Sequence, residues 1–159
     1  MIDIQTLTKT YQTGDNPVHA LRGVSLTIAA GEFTAIAGPS GSGKTTLLNL
    51  VGCIDQPDSG GLVIDGADVL KMDSRRLSAF RRRKLGFVFQ TFNLIPVLTA
   101  FENVALALNI LGTPADEAGE RSLRILGEVG LKGMEDRLPT KLSGGQQQRV
   151  AIARALVKK

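Results

Sequence analysis

The chain has 159 residues, 43% of them hydrophobic and 21% charged, and its 19 Lys and Arg exceed 15 Asp and Glu for a formal charge of +4. That composition excludes a disordered or low-complexity chain, and a mildly basic balance suits nucleic acid, an anionic membrane surface or a phosphate ligand without choosing among them. One cysteine, Cys53, and one histidine exclude an internal disulfide and a Cys/His metal cluster, and they point to a reducing compartment.

The first ten residues, MIDIQTLTKT, lack a basic n-region followed by an apolar run, so no signal peptide is expected. The stretches IDIQTL, VSLTI and FTAIA read as short strands, and FTAIA is apolar enough to be buried on both faces. GPSGSGKT, Gly38 to Thr45, fits the pattern G-x-x-x-x-G-K-[ST]. Gly41 and Gly43 allow the backbone to curl so that successive N–H groups face phosphate oxygens. A helix expected from Lys44 to Cys53, with Leu47, Leu48, Val51 and Ile54 on one side, adds its positive dipole end. Lys44 supplies a point charge for the β- and γ-phosphates, and the Thr45 hydroxyl suits Mg²⁺.

GLVIDGADV then reads as a hairpin turning at Asp65-Gly66. Ser74 is expected to cap a short basic helix, RRLSAFRRRK, whose cations read as a solvated face rather than a nucleic-acid patch. LGFVFQ is expected as a strand. Thr99 and Glu102 form a capping box for a helix presenting Phe101, Val104, Leu108 and Leu111. No run as long as the ~20 residues of a membrane span occurs; the longest apolar segment is Val104–Leu111. Thr113 is expected to cap the next helix, with Pro114 at its first position. The last helix follows Ser143. Fold class is α/β, with a helical insertion over residues 91–141.

The stretch LSGGQ, residues 142–146, holds the second unusual feature. Ser143 and Gln146 have capping-box spacing. Yet Gly144 and Gly145 each cost a helix ~1 kcal/mol against Ala. What glycine offers there is close approach of a phosphate or another backbone to the exposed N–H groups.

The phosphate loop and LSGGQQQRVAIARAL together resemble the nucleotide-binding subunit of ATP-binding-cassette (ABC) transporters, over essentially the whole chain. The resemblance implies a P-loop NTPase core with an N-terminal antiparallel β subdomain, residues 1–90 carrying the β subdomain and P-loop part, 91–141 the helical subdomain and 142–159 the signature turn and helix. It implies that Gly38, Pro39, Ser40, Gly41, Ser42, Gly43, Lys44, Thr45 and Thr46 hold the phosphates of ATP. Tyr11 falls where the family stacks an aromatic ring on adenine, and Gln90 matches the glutamine implied to touch Mg²⁺ and the attacking water. The resemblance also implies that two such domains pack head to tail, so that Ser143, Gly144, Gly145 and Gln146 of one close on the γ-phosphate held by Lys44 of the other. VGCIDQPDSGGLVIDGADV and LGFVFQTFNLIPVLTAFENV look most like the lipoprotein-release and macrolide-export branch. That likeness implies a permease partner docked on Phe92, Leu94, Ile95 and Pro96, a place on the cytoplasmic face of the inner membrane, and no nucleic-acid partner.

The family places an apolar strand ending in Asp-Glu after the signature helix, and a switch histidine further on. Asp65 sits in a hairpin turn and His19 in an N-terminal loop, so neither fills those roles. The expectation is therefore an incomplete domain that leaves apolar surface on FTAIA and the last helix uncovered, binds ATP weakly and does not turn it over. Other readings keep their own signatures. A GTPase carries Asn-Lys-x-Asp, absent here; a DNA-repair or chromosome-structure ATPase carries zinc cysteines or long heptads between the two phosphate motifs; a non-hydrolysing binding module needs neither.

Overall fold

In a computed structural model, which describes residues 1–14 and 16–159, the chain forms two units, Met1–Ala79 and Phe80–Lys159. The first is built on a four-stranded antiparallel sheet in the order β2-β1-β3-β4, with β1 Ile2–Thr13, β2 Asn16–Ile28, β3 Ser59–Ile64 and β4 Ala67–Asp68. A register shift between Ile4 and Leu7, where Thr6 takes φ of 48°, lets two residues three apart both be buried, as are Leu21, Leu62 and Ile64. The first helix, α1 (Lys44–Val51), adds Leu47 and Leu50 to that core. Its buried face is therefore Leu47/Leu50, while Leu48 and Ile54, expected inside, are 55% and 46% exposed. Gly52 breaks the helix before Ile54 can continue the apolar stripe.

The second unit is helical. It packs α3 (Ala100–Asn109), α4 (Ala115–Glu128) and α5 (Gly144–Leu156) around Val104, Leu108, Leu126, Leu131 and Val150, all fully buried. Each such side chain contributes about 1.5–3 kcal/mol on burial. The Thr99–Glu102 box forms as expected, with Thr99 Oγ1 accepting from Glu102 N at 3.1 Å and Glu102 Oε2 from Thr99 N at 2.8 Å.

Three expectations are corrected. FTAIA and LGFVF are not strands: the sheet contains neither, and Phe33 is 95% exposed. A run buried on both faces requires strands hydrogen-bonded beside it, and among the described residues none pairs with these two. The last helix, in contrast, buries Val150, Ala151 and Ala153 and leaves Leu156 at 38% exposure. The basic helix α2 (Ser74–Lys84) is capped by Asp73, whose Oδ1 accepts from Arg76 N at 2.7 Å, one position before the expected Ser74. Helix α4 has no side-chain cap at Thr113; Pro114 occupies the cap and its carbonyl accepts from Ala118 N.

Candidate functional site

The phosphate motif occupies the loop that ends at α1. Gly41 and Gly43 have φ of 79° and 86°, a left-handed conformation that side chains disfavour. Gly43 is the N-cap residue of α1 and is held so close to β2 that a Cβ would lie 2.4 Å from the Ala20 carbonyl oxygen. The sequence pattern is thus explained by geometry: this curl fits only glycine at position 43. The Lys44 ammonium folds back on the loop, donating to Gly38 O at 2.9 Å and Pro39 O at 2.7 Å. A cation, a helix N-terminus and a loop of N–H groups converge here, the chemistry that grips a polyphosphate. Thr45 is exposed on the first turn of α1, where a hydroxyl can join phosphate oxygens around Mg²⁺; Thr46 lies half-buried beside it.

Tyr11, on β1, is 37% exposed and its hydroxyl donates to Asp55 Oδ2 at 2.7 Å. That bond to a carboxylate is the main cause that pushes the phenol above its ordinary range; burial adds to it, and Thr46 and Lys9 oppose it. Burial alone would raise the Asp55 carboxyl, but the bonds from Tyr11, Lys9 and the Gln56 N–H outweigh it and hold the group below the usual carboxylate range. The stability this carboxylate contributes is present above its unfolded value of about 4 and is lost as pH falls through the lower folded value.

The second glycine-bearing helix start belongs to the helical unit. Ser143 caps α5, with Oγ accepting from Gln146 N at 3.3 Å and Gln146 Oε1 accepting from Ser143 N at 2.8 Å. Gln146 Nε2 reaches Met134 Sδ at 3.2 Å, so the box is anchored to the helical core. Ser143, Gly144 and Gly145 are exposed. A Cβ built on either glycine meets nothing within 4 Å, and neither has positive φ.

Gln90 is exposed at the turn after Phe89. The segment after it is held in an uncommon shape, with Phe92 and Asn93 at φ of 61° and 47°. The Arg154 guanidinium of α5 donates to both their carbonyls, at 2.8 and 2.7 Å. Of the four expected docking residues, Ile95 and Pro96 are exposed, Phe92 is half-buried and Leu94 packs against the helical core. Val97, 78% exposed, extends the apolar surface and was not anticipated. Nor were Arg154 and the buried Asn103, which binds the same segment; Arg154 acts across the fold and leaves no local spacing signal, whereas Asn103 binds residues within eight positions and its place on the apolar face of α3 is itself a hint. Arg154→Met is expected to lower stability by about 1.5–3 kcal/mol in denaturant melts, and Arg154→Lys to recover only part of it, because an ammonium cannot fork across two carbonyls.

Comparison with known proteins supplies independent findings. A family profile described as ABC transporter matches residues 21–159. An uncharacterized ABC transporter ATP-binding protein of Thermotoga maritima is 50% identical over 156 residues, 98% of this chain and 67% of that protein. The macrolide export ATP-binding/permease protein MacB of Brucella melitensis is 48% identical over 157 residues, 99% of this chain but 24% of that protein. The ATP-binding cassette MJ0796, solved as a post-hydrolysis dimer bound to ADP and Pi, superposes with a TM-score of 0.92 at 47% identity, covering 99% of this chain and 70% of that one. The chain therefore spans about a quarter of the macrolide-export relative and about two thirds of the others.

Proposed function

The chain belongs to the ABC transporter family, and we propose that it is the ATP-binding part of an exporter, working as one of two cassettes that clasp ATP between them beneath a permease. The relatives named for macrolide and pyoverdine export support an exported or extracted cargo of the lipid, lipoprotein, peptide or drug kind. In this reading Lys44 and the N–H groups of Gly41 to Thr45 hold the phosphates, Tyr11 stacks on adenine, and the Thr45 hydroxyl takes Mg²⁺. Gln90 is assigned to Mg²⁺ and the attacking water by family likeness. Ile95, Pro96 and Val97 form the permease-facing surface. Thr45 and Gln90 would hold Mg²⁺, which would supply charge neutralisation at the phosphates; the chain's own part is to bind, orient and exclude water. No helix among the described residues is long and apolar enough to cross a membrane, and attachment at the cytoplasmic face is through the permease.

The observation that carries the clasp is the pair Gly144 and Gly145. Nothing among the described residues needs glycine there: the backbone is ordinary and the space is open. The first N–H groups of a helix have no intrahelical acceptor, so a smooth, uncovered helix start suits an anion brought by a second copy. Two positive helix ends face each other only with that anion between them.

Gly144→Ala separates this role from a structural one. Alanine favours the helix by up to ~1 kcal/mol, so the variant is expected to melt at or slightly above the wild-type temperature. Its ATP-dependent self-association, followed by sedimentation, is expected to weaken about tenfold or more, since a methyl on the lid costs at least ~1.4 kcal/mol at a close contact. Wild-type association that ignores ATP, or an alanine variant that associates equally well, overturns the clasp.

A further inference from the structure

We propose, building on the reading of this chain as an ATP binder, that Asp55 and Lys9 are positioning residues that lock the Tyr11 ring in place for the adenine base. An exposed tyrosine on a strand ordinarily samples several rotamers, and a base that stacks on it must bear the cost of ordering it. Here the ring is fixed at two points. Its hydroxyl donates to Asp55 Oδ2 at 2.7 Å, and the Lys9 ammonium lies over the ring, 5.1 Å from the centroid. Lys9 is itself held, donating to Asp55 Oδ1 at 3.0 Å and to Gln56 O at 2.6 Å. One carboxylate thus ties down both the ring and the cation on one of its faces, which leaves the opposite face for a base.

The carboxylate is placed just as firmly. Asp55 follows α1 by four residues, and its N–H donates to Asn49 O within that helix at 3.3 Å. The loop beyond it is fastened to β1, with Asp58 N donating to Thr8 O at 2.9 Å and Thr10 N to Asp58 Oδ2 at 2.7 Å. Tyr11 is therefore joined through Asp55 to the end of the same helix whose start carries the phosphate loop. Base platform and phosphate grip are thus tied to the two ends of one helix within the first unit, which sets their spacing before nucleotide arrives.

Tyr11 is the only tyrosine, and the chain has no tryptophan, so tyrosine absorbance and emission report this ring alone. Without nucleotide, Asp55→Asn is expected to shift the tyrosinate absorbance titration to lower pH, because the carboxylate that favours the neutral phenol is gone while Lys9 remains; an unmoved titration overturns the link. With nucleotide, calorimetry compares ATP with inorganic tripolyphosphate, which has no base. Tyr11→Phe and Asp55→Asn are each expected to weaken ATP about two- to tenfold, the cost of ordering one freed side chain, and to leave tripolyphosphate unchanged. The double variant is expected to lose no more than either single one. Tyr11→Phe keeps the ring and the fold, so it decides the matter if Asp55→Asn proves unstable. ATP affinity unchanged by Tyr11→Phe, with Tyr11→Ala weakening it, overturns the positioning role alone. ATP affinity unchanged even by Tyr11→Ala, or ATP held no better than tripolyphosphate, overturns base stacking and the positioning role with it.

Discussion

Gly43→Ala is expected to weaken ATP binding about a hundredfold, while Gly41→Ala weakens it only about tenfold. Both residues are left-handed, at φ of 86° and 79°, and an L side chain held there costs ~1–2 kcal/mol, close to one factor of ten in affinity if the loop relaxes away from its gripping shape. Only Gly43 carries a second penalty. Its Cβ would sit 2.4 Å from Ala20 O and 3.0 Å from Leu21 Cδ2, whereas a Cβ on Gly41 meets nothing within 4 Å. The offending atom is backbone in a paired strand and cannot swing aside as a lysine tip could. The loop or β2 must shift, and the two terms together reach about 3 kcal/mol. Calorimetry with ATP on both variants, alongside thermal melts, reads the difference. Equal losses would assign the effect to backbone conformation alone, and a Gly43→Ala protein with wild-type affinity would remove the loop from nucleotide binding altogether.

What the sequence disclosed and what it hid divide along one physical line, the distance over which an interaction acts. The phosphate loop, the Thr99–Glu102 box and the Ser143–Gln146 box are legible because their chemistry closes within a few residues: a glycine sets its own φ, and a cap binds an N–H three positions on. Asp73 displaced Ser74 as a cap for the same reason, since two residues of equal capping strength stand side by side and only the chain's path chooses between them. FTAIA failed as a strand because its apolar character states a need for neighbours without supplying any, and the four-stranded sheet closes on other residues. Ile54 was set on the apolar side of α1 by a periodicity that Gly52 interrupts, and Leu48, within the helix, faces away from the buried Leu47 and Leu50. Asp55 lies 44 residues from Tyr11, and Arg154 lies 61 and 62 from the carbonyls it holds; no spacing rule reaches so far. Gly144 and Gly145 present the opposite case. Their oddity was visible in the sequence, but only open space around both Cβ positions removes the possibility that the fold itself demanded glycine.

Asn103→Leu is expected to destabilise the helical unit by about 3–5 kcal/mol, although the replacement is nearly isosteric and the site is fully buried. Asn103 Oδ1 accepts from Ile95 N at 2.8 Å, and Nδ2 donates to the carbonyls of Ile95, Leu98 and Thr99 at 3.1, 2.9 and 2.9 Å. Thr99 O also accepts the Asn103 backbone N–H, so it keeps a partner. Ile95 O likewise keeps the Leu98 N–H at 3.1 Å, so the Ile95 N–H and the Leu98 carbonyl are the groups that lose theirs. Each buried group so orphaned costs about 1–3 kcal/mol, less where water can enter. Against a typical total stability of 5–15 kcal/mol this is a large share. Asn103→Asp is expected to fare no better: it restores the acceptor for Ile95 N but turns an oxygen toward carbonyls and buries a charge. Leu108→Ala, a cavity in the same core, should cost a comparable ~2–5 kcal/mol, so the melting temperature alone does not tell the two apart. Hydrogen exchange does. Asn103 bonds directly to the segment carrying Ile95, Pro96 and Val97, so its loss should speed exchange over residues 91–98 ahead of global unfolding, whereas the Leu108 cavity should leave that segment's exchange tied to the unit as a whole. If that segment is the permease-facing surface proposed above, Asn103 helps to fix its shape before a partner arrives. An Asn103→Leu protein as stable as wild type, with 91–98 equally protected, would mean that the segment is held by its own backbone and by Arg154 alone.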